Sequence, residues 1–169
     1  MLGVYNNFPQ NIQKIAVFST SISNKRLQRA LLETAHKLNN ATLWPGEISP
    51  PSLCNCAIAF EFGIAEGDDF TFLDEQEKDK LARALERKLL RVMDFLCAIR
   101  YYRMEEEKRV PLRFDYYMLR FMFDKNMAEL HVFHERGPMH LSPEELVEFI
   151  INKVNNSFSK KVLRPVDLS

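Results

Sequence analysis

Cys54-Asn55-Cys56 and three of the four histidines, His131, His134 and His140, are residue types that hold zinc. Together they could close a tetrahedral site. The spacing argues against it. Zinc-binding cysteine pairs usually sit about two to four residues apart in a turn, whereas Cys-x-Cys here opens a run that reads as a strand. His131 and His134 lie three apart on another strand, which points them to opposite faces. The reading is buried thiols and surface histidines, with no metal or other cofactor.

A second set is charged and phenolic. In the strand-like run 111–123, Arg113, Asp115 and Tyr117 alternate onto one face with Leu119, Phe121 and Phe123. Leu112, Phe114, Tyr116, Met118, Arg120 and Met122 take the other. Both faces are largely apolar, as in a central strand. A charge on such a strand needs a partner. Glu61, Arg100, Arg113, Asp115 and Arg120 therefore form either structural ion pairs or a pocket for a small anionic ligand, with arginine as a bidentate donor. Ion pairs are favoured, because such networks mimic sites.

His134 beside Glu135 has the composition of a general base with an orienting carboxylate, at the end of a strand where function often sits. Neighbours on a strand point apart, and no serine or cysteine is tied to His131 or His134. Catalysis ranks third among the functional readings. Arg100, Tyr101, Tyr102 and Arg103, with Arg113, Tyr116 and Tyr117, interleave base-stacking and phosphate-binding types. The glycine-spaced aromatic consensus of RNA-recognition sheets is missing, so RNA is a possible partner and not the favoured one. From Glu61 to Asp79 there are eight carboxylates and one lysine. They lack the spacing of a calcium loop and read as a solvated turn and a helix start.

These residues need elements to carry them. Residues 12–22 read as a strand. Leu27, Ala30, Leu31, Thr34, Ala35 and Leu38 then recur at helical spacing behind a Ser23 or Asn24 cap. Pro45, Gly46, Pro50 and Pro51 mark a loop over 41–53. A strand runs from about Cys54 to Ile64, with Cys56, Ile58, Phe60, Phe62 and Ile64 on one face. Asp74 and Glu77 start a helix reaching about Leu90, with Leu81, Ala84, Leu85, Lys88 and Leu89 inward. Runs 92–104, 111–123 and 128–135 read as an antiparallel meander. Ser142, Pro143 and Glu145 form a capping box, and Val147, Ile150, Ile151, Val154 and Phe158 supply the buried stripe of the last helix.

The order β-α-β-α-β-β-β-α predicts an α+β fold. Its form is a two-layer sandwich, with a mixed or antiparallel sheet of about five strands and three helices. Residues 1–158 form the domain and 159–169 a C-terminal tail. The 169 residues, 46% hydrophobic and 27% charged, are ordinary globular usage. Balanced charge, 23 basic against 23 acidic residues, lowers the expectation of a duplex-binding protein. Five glycines and no phosphate-loop, dinucleotide, hydrolase-elbow or zincin motif exclude the commonest enzyme signatures. Met1 to Pro9 carries no basic-then-apolar signal. With three cysteines, the expected compartment is the cytoplasm.

Thirteen phenylalanines and apolar residues on both strand faces leave one sheet face to be covered if the helices take only the other. The first-ranked expectation is therefore a non-catalytic oligomerisation or protein-interaction module. A homodimer through the sheet would use Tyr116 and Phe121. Binding of RNA or a small anion through Glu61, Arg100, Arg113, Asp115, Tyr117, Arg120, His131 and His134 ranks second. A second copy of the chain is the expected partner, then another protein; no membrane partner is expected.

Overall fold

A computed structural model describes residues 1–39, 41–43 and 56–166. In chain order the elements are β1 (Lys14–Thr20), α1 (Asn24–Asn39), β2 (Thr42–Leu43), β3 (Cys56–Glu66), β4 (Asp69–Phe72) and α2 (Glu75–Arg87). Then come β5 (Val92–Glu105), β6 (Lys108–Pro111), β7 (Asp115–Asp124), β8 (Met127–Arg136), α3 (Pro143–Asn156) and β9 (Leu163–Pro165). Cys54, Asn55 and most of the 41–53 loop lie outside the described residues.

The class is α+β, as the alternation of patterns predicts. The sheet is larger than the five strands expected: nine strands are described, in the main order β2-β3-β5-β7-β8-β1-β9, with β4 on β3 and β6 on β5. All the named strand pairs are antiparallel. The added strands β2, β4, β6 and β9 have two to four residues each, too short for alternation to show. Two follow from tight turns. Gly67, at φ 67°, reverses β3 into β4, where an acidic turn was expected. Glu106 and Glu107, at φ 45° and 68°, reverse β5 into β6.

The helices begin where their caps place them. Ser23 Oγ accepts the Arg26 N–H, and Asp74 accepts from Glu77. Ser142 and Glu145 close the capping box reciprocally. α2 stops at Arg87, so Leu89 leaves the helix and is 39% exposed instead of facing inward. The three helices cover one sheet face. Beneath them lie Ile58, Phe60, Phe62, Phe95, Ile99, Leu119, Leu130 and Val132, all at most 3% exposed. Phe60 stacks on Phe149 of α3 at 5.3 Å, joining sheet to helix.

Residues 159–166 are not a separate tail. β9 pairs with β1, and Val162 and Leu163 are buried. Asn155 makes this possible: its Oδ1 accepts from Val162 N and Leu163 N, both at 2.9 Å, and its Nδ2 donates to Leu163 O. A buried amide with three backbone partners is hard to replace. Asn155→Ala is expected to cost about 2 kcal/mol and to expose 159–166 to limited proteolysis before global unfolding; an unchanged cleavage rate would disprove this tether.

Candidate functional site

Three sites emerge from the charged and aromatic residues of the sheet. The first centres on Asp115, at the start of β7 and 0% exposed. Its carboxylate takes four donors, two on each oxygen. Oδ1 accepts from His134 Nε2 at 2.9 Å and Met139 N at 2.7 Å. Oδ2 accepts from the Tyr101 hydroxyl at 2.7 Å and His140 N at 3.0 Å. Burial alone pushes this carboxyl up. The hydrogen bonds from Tyr101, His134, Met139 and His140 outweigh it and hold the group below its ordinary range.

The loop after β8 is built around that carboxylate. Gly137 sits at φ 113°, and a Cβ there would lie 2.5 Å from Asp115 Oδ1 and from Phe114 O. Only glycine lets the loop pass so close. Tyr117 donates to Leu141 O, and the rings of His134 and His140 pack edge-on against Tyr117 and Tyr101 at 5.0 and 4.8 Å. The cluster therefore fixes the entry to α3. Burial pushes the Tyr101, Tyr117 and Cys97 groups up, Tyr101 further through its bond to Asp115. None of the three is an anionic nucleophile near neutral pH. The carboxylate on His134 is Asp115, which lies across the strand pair, and not its neighbour Glu135.

The second site is Asp94 with Arg120. Arg120 reaches Asp94 through Nε and Nη2, both at 2.8 Å, and Asp94 is 0% exposed. Tyr5 N donates to the same carboxylate at 2.7 Å. Arg120 also donates to Tyr5 O and lies 4.3 Å over the Phe8 ring. The group clamps the N-terminal segment across the face that the helices leave uncovered. Gly3 extends the clamp by donating to Ala65 O and accepting from Asp94 N.

The third site is the remainder of that face. Adjacent strands place Glu61, Ala98, Tyr116 and Arg136 in one row, and Leu96, Met118 and Phe133 in the next. A bulge between Tyr116 and Tyr117 sets Arg136 rather than Glu135 opposite Tyr116, with the guanidinium 4.5 Å over the ring. Leu96, Tyr116, Met118 and Phe133 are all half-buried, Met122 is 37% and Ile15 50% exposed.

The sequence-predicted residues are thus divided among three places. Asp115, Tyr117 and His134 meet on the helix side. Arg120 is on the opposite face with Asp94. Glu61 and Arg100 pair with each other there at 3.3 Å. His131 bonds Glu129 on its own strand at 2.9 Å. Arg113 is exposed in the link before β7. They do not converge on one anion pocket, and Arg120 and Arg100 each face a carboxylate. Phe121, expected at an interface, is 5% exposed in the helix-side core, where its ring meets Phe95 edge-on; Tyr116, one residue off in strand parity, stays on the open face.

Met139, Asp94 and the Tyr5–Phe8 segment are site residues that spacing did not point to, and Tyr101 and His140, read as parts of an aromatic set and a zinc set, serve the Asp115 carboxylate instead. Met139 and His140 act through backbone N–H groups, which carry no residue-type signal. Among the described residues no group of three or more His, Cys, Asp or Glu is placed to hold a metal, and no helix is long and apolar enough to cross a membrane. No protein-family model, no curated protein and no solved structure matches this chain.

Proposed function

We propose that this chain is a self-associating module whose open sheet face pairs with the same face of a second copy. The observation that carries the reading is the row Glu61–Ala98–Tyr116–Arg136, which runs from an acidic and a small residue on β3 and β5 to a large and a basic one on β7 and β8. A two-fold axis lying between two such sheets and parallel to their strands sets β3 over the partner's β8 and β5 over its β7. Ala98 then receives the partner's Tyr116, and Leu96 meets its Met118 in an apolar contact.

The same operation brings opposite charges together. Glu61 and Arg136 stand at the two ends of one row, so each would face the other type across the interface. This gives specificity more than affinity. The apolar row Leu96–Met118–Phe133 would supply the affinity, since burying such side chains is worth about 25 cal/mol per Å².

The test is sedimentation velocity on the untagged protein. A dimer is expected, and Met118→Glu is expected to convert it to monomer, because an unpaired carboxylate in an apolar contact is costly. Glu61→Arg and Arg136→Glu are each expected to weaken the dimer by about tenfold, and the double exchange to recover most of that loss. A strict monomer at high concentration, or additive effects of the two exchanges, would defeat this reading.

A further inference from the structure

A groove lies away from the open face, between α3 and the outer edge of β1. Its volume is about 560 Å³. Five consecutive residues of β1, Lys14 to Phe18, line it. Successive strand side chains alternate between faces, so a wall made of five in a row is the backbone edge itself. The opposite wall is one stripe of α3, with Val147 and Ile151 as its apolar part.

Among the described residues that edge is paired over only part of its length. β9 covers β1 from Phe18 to Thr20, and Val166 N donates to Val17 O. Among the described residues nothing pairs with the outer edge before Val17. Ser21 and Val17 direct their backbone groups toward the β9 side. By the alternation of an antiparallel ladder, Ile15 directs both its N–H and its C=O into the groove. The Ile15 side chain is 50% exposed on the other face, beside the same edge.

We infer that this groove is a docking site for an extended peptide segment of a partner, added as a strand along β1 with an apolar residue against Val147 and Ile151 and a Lys or Arg against Glu144 and Glu148. The charge of the helix wall selects the cation. Glu144 and Glu148 stand four apart on α3, line the groove and are exposed. Neither belongs to an ion pair among the described residues. Lys14 and Lys161 line the strand side, so the groove separates its charges between its walls. Main-chain bonds to Ile15 would supply affinity, and alternate side chains the specificity.

The test is fluorescence anisotropy with two labelled peptides, Thr-Val-Ile-Arg-Val-Thr and the same peptide with Glu in place of Arg. The Arg peptide is expected to bind the wild type and to bind about tenfold more tightly than the Glu peptide. Ile15→Pro removes the outward N–H and is expected to weaken the Arg peptide by about tenfold or more. The double variant Glu144→Lys and Glu148→Lys changes only exposed residues, so it folds, and it is expected to erase the preference for Arg. Met118→Glu, on the other face, is expected to leave peptide binding unchanged. No binding of the Arg peptide at about 1 mM, near the weakest affinity that counts as recognition, overturns the inference. So does binding that is indifferent to both groove variants, or a preference for the Glu peptide. A dimer abolished by Ile15→Pro and retained in Met118→Glu would overturn it in favour of a second copy on this edge.

Discussion

Replacing Asp115 with asparagine is expected to remove about 2–4 kcal/mol of folding stability, a large share of the ~5–15 kcal/mol typical of a domain. The change looks conservative, and geometry makes it severe. Each carboxylate oxygen takes two donors, and on each side one of them is a backbone N–H: Met139 on Oδ1, His140 on Oδ2. A phenol can turn and an imidazole can exchange tautomers, but a backbone N–H cannot. Whichever way the new amide is turned, its NH2 meets a fixed donor. Asp115→Ala leaves all four donors without their acceptor and is expected to be at least as damaging. Urea denaturation gives the answer directly; a midpoint within error of wild type for both variants would mean that the cluster does not hold the loop.

The same carboxylate predicts a pH dependence. Its folded pKa lies below the ordinary carboxylate value. A depressed carboxyl contributes stability that is complete above the unfolded pKa and is lost as pH falls through the folded one. The stability gap between wild type and Asp115→Asn is therefore expected to be constant near neutrality and to narrow from about pH 5 downward. A gap that widened on acidification would reverse the assigned sign.

Arg120→Met is the second large effect. It removes the bidentate partner of a carboxylate with no exposure to solvent. Breaking such a pair from one side is expected to cost about 3–5 kcal/mol, because the remaining charge is buried without compensation. Removing both partners is different in kind. Asp94→Leu with Arg120→Met replaces the pair by apolar groups, and the double variant is expected to be more stable than Arg120→Met alone. Arg120 also holds Tyr5 and Phe8, so trypsin is expected to cut at Lys14 faster in Arg120→Met than in wild type. Equal stability of the single and double variants would show that Asp94 finds another partner.

These effects explain why charged residues on a central strand were hard to assign from residue type. Asp115 and Arg120 are five apart on β7, and odd spacing sends them to opposite faces. Each is satisfied by residues remote in sequence: Tyr101, His134 and the 139–140 backbone for one, Asp94 and Tyr5 for the other. Read along the chain, alternation sets them on opposite faces and names a partner for neither. In the folded molecule they centre two clusters, separated by the thickness of the sheet, and both hold a loop or terminal segment in place.

What the sequence determined by itself is local. The α3 capping box, the α1 stripe and the two-residue alternation of β3, and of β7 from Asp115 onward, depend on neighbours within a few positions, and these are present. The three-helix α+β class follows from them. What only the tertiary structure decided is non-local. The short strands β2, β4, β6 and β9 gain their bonds from partners already in place and carry no pattern of their own. The burial of Phe121 and the openness of Tyr116 depend on which face the helices took, which parity cannot state. The groove beside β1 exists because α3 passes alongside it, a relation between segments over a hundred residues apart. Periodicity records the contacts of a residue with its own element; it holds no record of which distant backbone will supply a donor.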